Sequence, residues 1–278
     1  MTQTTSPRPV SVDELRRAWR AVQDGQFRTR AHRGAPSRST SPTPVAGGWA
    51  PTEHVLPVVG CVGQAGASTL ALAIATAASP ARVLECCSAT ASGLSTAATA
   101  ELGITDNGWT LGRRERVWIG RAAQVLLGAD EVPAPDDPVV EVELSVLDVG
   151  WEITHVLASN SWVRDQVLAA PSVIAVTTST IPGLRRVETT LSLLPGSHAQ
   201  VAVIGAPRRR WPRHLVAAMG PLTAALDAKG HLLAIAPDRH LALHGLDSAP
   251  LPPPLLKAAE TLLRQTAAGG HPWKGSPQ

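Results

Sequence analysis

A doubly wound, mostly parallel α/β sheet with a flexible N-terminal extension is the fold this sequence predicts, and three observations predict it. Strand-like and helix-like segments alternate from residue 55 to residue 265. Several strand segments, such as Val173-Ile174-Ala175-Val176, are apolar without alternation, the pattern of strands covered on both faces. The first strand also runs through a turn of small residues straight into an alanine-rich helix. At 278 residues, with 44% apolar and 17% charged side chains, the chain is long enough for one sizeable α/β core and an appendage.

Taken in order, the N-terminal part reads as residues 1–28, a tail carrying a short amphipathic helix over about 11–24. Ser11 and Glu14 stand in capping-box spacing, and Val12, Leu15, Trp19 and Val22 fall on one helical face. Residues 29–52 are rich in Ser, Pro, Gly, Arg and Thr without periodicity and read as a disordered linker. A helix on such a tether is suited either to docking a protein partner or to folding back on its own body. The body spans 53–267, and 268–278 is a flexible C-terminal tail.

Within the body, strands are expected at 55–60, 82–87, 143–149, 172–178, 200–205 and 231–236. Helices are expected at 68–78, 92–102, 115–127, 162–169, 184–193, 214–228 and 254–265. Residues 130–138 form an acidic, proline-rich loop.

The net charge of +3 is unevenly spread: residues 1–50 hold eight arginines against Asp13, Glu14 and Asp24, a balance of +5 that leaves the remainder at −2. A basic tail on a near-neutral body suits nucleic acid, an anionic membrane or an acidic partner; alternatively it keeps a disordered arm soluble. Arg208-Arg209-Arg210-Trp211-Pro212-Arg213 interleaves four arginines with a tryptophan. That pattern suits nucleic acid, a nucleotide base, or an acidic loop such as 130–137.

The three cysteines, Cys61, Cys86 and Cys87, are expected buried and reduced. No segment reaches the roughly 18 apolar residues of a membrane span, and no signal core opens the chain, so the expected setting is cytoplasmic. The nine histidines show no ligand spacing, and no Gly-x-Ser-x-Gly elbow is present, so neither metal chemistry nor a serine hydrolase is supported.

The most informative stretch is Val62-Gly63-Gln64-Ala65-Gly66-Ala67-Ser68-Thr69 between the first strand and the first helix. A strand feeding a helix through small residues leaves backbone N–H groups free at the helix N-terminus, where they favour a phosphate. A nucleotide hydrolase normally carries a lysine between Gly66 and Ser68; here Ala67 stands there, and the only lysines are Lys229, Lys257 and Lys274.

These landmarks, in this order over about residues 55–265, resemble the deviant-Walker P-loop proteins of the ParA/MinD family, and among them the degenerate CpaE/TadZ-like branch. The family's Lys-Gly-Gly-x-Gly-Lys-Ser/Thr-Thr is matched with Gly63, Gly66, Ser68 and Thr69 kept and both lysines replaced, by Val62 and Ala67. Cys87 and Ala89 align with the family's acidic Asp-x-Asp positions, which leaves Glu85 as the nearest carboxylate for that role. Ser145-Val146-Leu147-Asp148-Val149-Gly150 resembles the Walker B strand, and Ala234-Ile235-Ala236-Pro237-Asp238-Arg239 the late Ile-Pro-x-Asp landmark.

The resemblance implies a P-loop NTPase-like fold that holds ATP or ADP with Mg²⁺. Gly63, Gln64, Ala65, Gly66, Ala67, Ser68 and Thr69 would meet the phosphates, Pro237 and Asp238 the adenine side, and Ser68 with Asp148 the metal. It implies a homodimer, and weak or absent ATPase activity for want of charge. The implied role is a scaffold or positioning factor for a pilus, secretion or conjugation machine, recruited to a membrane-associated complex through the N-terminal helix. The alternatives are an active partition-type ATPase that binds DNA and uses Arg113, Arg114 or Arg121 in place of lysine, and a nucleotide-free protein-interaction module.

Overall fold

The computed structural model describes residues 48–88, 90–194 and 198–268. The N-terminal helix, the linker up to residue 47, Ala89 and the last ten residues lie outside the described residues.

Nine strands form one sheet in the order β3-β4-β5-β2-β6-β1-β7-β8-β9. They are β1 (His54–Gly60), β2 (Ala81–Cys86), β3 (Ala100–Ile104), β4 (Trp109–Arg114), β5 (Val117–Ala122), β6 (Leu144–Val149), β7 (Ser172–Thr178), β8 (His198–Ile204) and β9 (Leu232–Ile235). From β5 to β9 all neighbours are parallel; β4 pairs antiparallel with both β3 and β5. The helices are α1 (Ala67–Ala77), α2 (Ile153–Ala158), α3 (Trp162–Ala169), α4 (Ile181–Leu193), α5 (Arg213–Val216), α6 (Pro221–Ala228), α7 (Arg239–His244) and α8 (Pro253–Ala268).

Helices cover both faces of the parallel part. On one face, α1 and α8 pack on alternate residues of the strands, among them Leu56, Val83, Val146, Ile174 and Ala202. On the other, α2, α3 and α4 cover the intervening positions, such as Val59, Leu147, Val173, Ala175 and Val203. This is why these strands read as continuous apolar runs. Helix α1 is buried from Leu70 to Ala75, and burial of each of its leucine and isoleucine side chains contributes about 1.5–3 kcal/mol.

Two expected helices are corrected. Residues 92–102 and 115–127 are not helical: a turn-rich stretch leads into β3, and β4 and β5 complete a three-stranded meander. Side chains of β4 and β5 alternate between the faces, with Trp109, Leu111 and Trp118 on one and Val117 and Ile119 on the other. Asn107-Gly108, the strongest short hairpin signal, joins β3 to β4 with Gly108 at φ 85°. Glu115-Arg116 closes the next hairpin, with Glu115 at φ 53°. Two short helices, α2 and α7, are additional to the expected set, and the expected helix at 214–228 is broken into α5 and α6. Among the described residues no helix is long and apolar enough to cross a membrane.

Candidate functional site

The parallel strands β1, β2, β6, β7 and β8 all end on the same edge, where a doubly wound sheet presents its ligand crevice. Central strand β1 ends at Gly60 and delivers the glycine loop there. Cys61 N–H bonds to Val176 O at 2.8 Å and Ala65 N–H to Val62 O at 3.3 Å, closing a tight turn. Gln64 at φ 59° and Gly66 at φ 82° both take left-handed backbone, and Leu70 N–H returns to Gly66 O at 2.9 Å. Gly63 and Gln64 are exposed, Ala65 is buried, and Gly66 to Thr69 are half-buried.

The start of α1 differs from most other helix starts in the molecule. Glu152, Ser161, Thr180 and Asp238 cap α2, α3, α4 and α7 with side-chain oxygens, and Glu188 accepts from Leu222 N–H and Thr223 N–H at the start of α6. Gly66 gives α1 no side-chain cap. Its first-turn donors and dipole are left for an external acceptor.

Beneath this turn the sheet places two carboxylates side by side. Asp148 on β6 and Glu85 on β2 are direct cross-strand partners, and both are buried, with Asp148 1% exposed. Burial pushes the Asp148 carboxyl up to about 7; the Ser68 hydroxyl lies close enough to oppose that shift and the Glu85 charge adds to it. Neither oxygen of Asp148 has a hydrogen-bond partner of ordinary geometry. A buried carboxylate without partners is costly and calls for a cation or a proton.

Glu85 is differently employed. One oxygen accepts from Gly93 N–H and Leu94 N–H at 2.8 Å each, the other from Ser92 Oγ at 2.9 Å. With both oxygens engaged it is a clamp on the loop after β2 rather than a free base. That loop packs against the site: a Cβ on Gly93 would stand 2.8 Å from Ser68 Oγ, and one on Gly150 2.5 Å from Cys87 Cβ. Burial raises the thiols of Cys61, to about 11, and of Cys86 and Cys87, and all three are free.

The fold therefore brings together Gly63 to Thr69 and Asp148, with Glu85 added to them. Pro237 and Asp238 stand three strands from β1, after β9; Pro237 is exposed, and Asp238 accepts from Leu241 N–H at 3.0 Å as the cap of α7. The Asp238 carboxylate thus already has a structural duty.

The arginine surrogates do not reach the loop. Arg114 is buried and donates to the carbonyls of Ala97 (3.0 Å), Asp247 (2.6 Å) and Ala249. Arg121 pairs with Glu101 at 3.0 Å, and Arg113 is exposed on the meander. Arg208 lies over the Trp211 ring at 4.9 Å and pairs with Asp227 at 2.8 Å, so the acid it meets is Asp227 and not the 130–137 loop. Arg209, Arg210 and Arg213 remain exposed near the end of β8.

Two features escaped the sequence reading: the clamping role of Glu85, named there only as the nearest carboxylate, and a histidine pair. Glu85 carries no local signal of its role, because its partners lie in a loop without regular structure. His240 and His244 are one helical turn apart on α7, with ring centroids 4.7 Å apart, a spacing that was legible. His240 Nε2 is 2.9 Å from Asp247 Oδ2. Among the described residues no cluster of three or more histidine, cysteine or acidic side chains is placed to hold a metal ion.

For Mg²⁺ and a nucleotide the fit is divided. The uncapped N-terminus of α1 suits phosphate oxygens, and Asp148 with the Ser68 hydroxyl suits a hard divalent cation. Neither Val62 nor Ala67 supplies charge to neutralise a polyphosphate, and among the described residues none of Arg113, Arg114 and Arg121 is turned to that use.

No protein-family model matches the chain, and no curated protein does. Solved structures do match it at low similarity. A plasmid partition protein from Borrelia burgdorferi shares 11% identity, with a TM-score of 0.45 over 76% of this chain and 96% of that one. The septum site-determining protein MinD of Pyrococcus horikoshii OT3, complexed with Mg-ADP, shares 14% identity, with a TM-score of 0.44 over 79% and 99%. The MinD cell division protein of Aquifex aeolicus shares 14% identity, with a TM-score of 0.45 over 75% and 96%.

Proposed function

We propose that this chain is a degenerate ParA/MinD-like P-loop protein that binds ATP or ADP with Mg²⁺ weakly and hydrolyses it slowly or not at all. It acts as a scaffold or positioning factor for a larger machine such as a pilus, secretion or conjugation apparatus. The observation that carries the nucleotide reading is the uncapped start of α1 above Asp148, whose two buried oxygens have no hydrogen-bond partner of ordinary geometry. Backbone donors from Gly63 to Thr69 would hold the phosphates, and Ser68 and Asp148 the metal. Mg²⁺, when bound, would supply charge neutralisation that the missing lysines do not. The loss of one charge-assisted contact to a phosphate costs about 1.5–3 kcal/mol, roughly a tenfold to hundredfold loss of affinity. Hydrolysis suffers more, because it depends on stabilising charge in the transition state.

In this reading the tail helix at about 11–24 docks the partner protein, the body at 53–267 is the P-loop domain, and a homodimer forms across the nucleotide face. Arg209, Arg210 and Arg213, together with the basic tail, are the nucleic-acid contacts if the protein works on DNA. Titration with a fluorescent ATP analogue and Mg²⁺ tests the proposal: saturable binding in the micromolar to millimolar range, with phosphate release near background, is expected. Absence of saturation even at millimolar analogue would reject it. A second reading, a nucleotide-free interaction module, is favoured by one observation: the loop clamped by Glu85 packs on Ser68. The same titration separates the two.

A further inference from the structure

On the face of the sheet opposite α1, a groove lies between the meander and the loop after residue 134. Its floor and sides include Leu84, Trp109, Leu111 and Trp118, and its rim carries Asp136 and Asp137. Trp109 is anchored, 1% exposed with its indole N–H on Ala134 O at 3.2 Å. Trp118 is half-buried and leaves part of its ring to the groove.

The charge of this groove does not cancel. Arg82 also lines it, but its guanidinium is consumed: one nitrogen pairs with Glu53 at 2.5 Å, another donates to Asp136 O at 2.7 Å, and Nε donates to Ser145 Oγ at 2.6 Å. Among the described residues neither Asp136 nor Asp137 has an ion-pair partner, and Asp136 Oδ2 is buried without any hydrogen bond. Two carboxylates beside tryptophan rings in an otherwise apolar groove are complementary to a cation on an apolar stem.

We propose that this groove is a binding site for an arginine side chain presented by a partner protein. Arginine is preferred to lysine because its planar guanidinium stacks on an indole and still offers donors to a carboxylate. The stem lies against Leu84, Leu111 and Trp118, and the guanidinium meets Asp136. Arg113, exposed and directly opposite Trp118 on the same face, opposes the incoming charge.

The test is an NMR titration of the full chain with capped Gly-Arg-Gly, Gly-Lys-Gly and Gly-citrulline-Gly peptides, following the indole N–H of Trp118 and, in Trp118→Leu, that of Trp109. The arginine peptide is expected to saturate at millimolar concentration, the lysine peptide to bind more weakly and the citrulline peptide not to bind. Asp136→Asn should weaken arginine binding about tenfold, Trp118→Leu about threefold or more, and Arg113→Ala should strengthen it. Thermal melting checks that each variant is folded. Equal binding of arginine and lysine that ignores Trp118→Leu would reduce the site to diffuse charge attraction and overturn the proposal. Citrulline binding as tight as arginine, or no saturation by any peptide, would overturn it too.

Discussion

The parallel centre of the sheet and its antiparallel meander bury comparable side chains by different rules. In the centre, β1, β6, β7 and β8 are covered on both faces, so each strand is apolar along its length and its position follows from composition alone. In the meander, β3 is wholly exposed, and β4 and β5 are only partly covered. Polar and apolar residues therefore mix there, and over six residues that mixture resembles an amphipathic helix as easily as a strand. The centre carries the candidate site; the meander carries the groove. The lesson is that uniform burial writes a clear local signal, while one-sided burial leaves the decision to turns such as Asn107-Gly108 and to packing between distant segments.

Breaking the meander at its anchor should produce the largest effect. Trp109→Ala removes a fully buried ring and its bond to Ala134 O, and a loss of about 3–5 kcal/mol is expected in urea unfolding. If the two regions melt separately, the transition will also broaden or split; a single transition with an unchanged m-value would join them into one cooperative unit.

Arg114→Met probes the seam between the regions, because Arg114 ties β4 to the 247–249 backbone, while neighbouring Leu246 and Leu251 share a core cluster with Ala65. Leaving three carbonyls without their donor should cost about 3 kcal/mol. Thermal melting reads it, and a loss below about 0.5 kcal/mol would mean that the seam is not under tension from those bonds.

Asp148 makes the centre sensitive to pH. Its carboxyl titrates near 7 in the folded chain against an ordinary 3.8, so the folded state binds the extra proton between those values. Stability from this group is greatest below about pH 4, declines as pH rises to about 7 and is then level, by about 4 kcal/mol at the limit. Asp148→Asn should therefore stabilise the protein by about 2 kcal/mol at pH 8 and hardly at all at pH 4. Mg²⁺ should raise the melting temperature of the unmodified chain at pH 8 and leave the Asn variant where it was. A variant less stable at pH 8 would contradict the burial argument.

Ala67→Lys restores a cation at the first residue of α1, and binding of the ATP analogue should tighten about tenfold or more. No change would place the phosphates elsewhere. The smallest effect belongs to the surface of the meander: Glu101→Gln releases the half-exposed pair with Arg121 and should shift stability by about 0.5 kcal/mol or less.

How much of this was legible follows the same division. All six expected strands are present to within two residues at either end, because burial on two faces leaves little freedom in what they contain. The glycine loop and Asp148 meet because both stand at the carboxyl ends of neighbouring parallel strands, a consequence of topology that alternating elements foretell. Arg114 read only as a candidate in place of the lysine because nothing local marks a guanidinium that finds carbonyls more than 130 residues away. Asp238 stood out as a ligand residue, and the structure adds a use in capping α7 that the sequence reading had not named. The clamping role of Glu85 stayed obscure for the same reason, since its partners become neighbours only after the loop folds over the strand.

The clamp of Glu85 on Gly93 and Leu94 has a consequence in time rather than in affinity. With Gly93 against Ser68 and both Asp148 oxygens out of reach of solvent, the lifting of that loop is the expected route for an arriving ion. The association rate is then set by how often three hydrogen bonds to one carboxylate open together, and it should level off as cation concentration rises. Stopped-flow mixing would register a plateau, and Glu85→Gln would raise it.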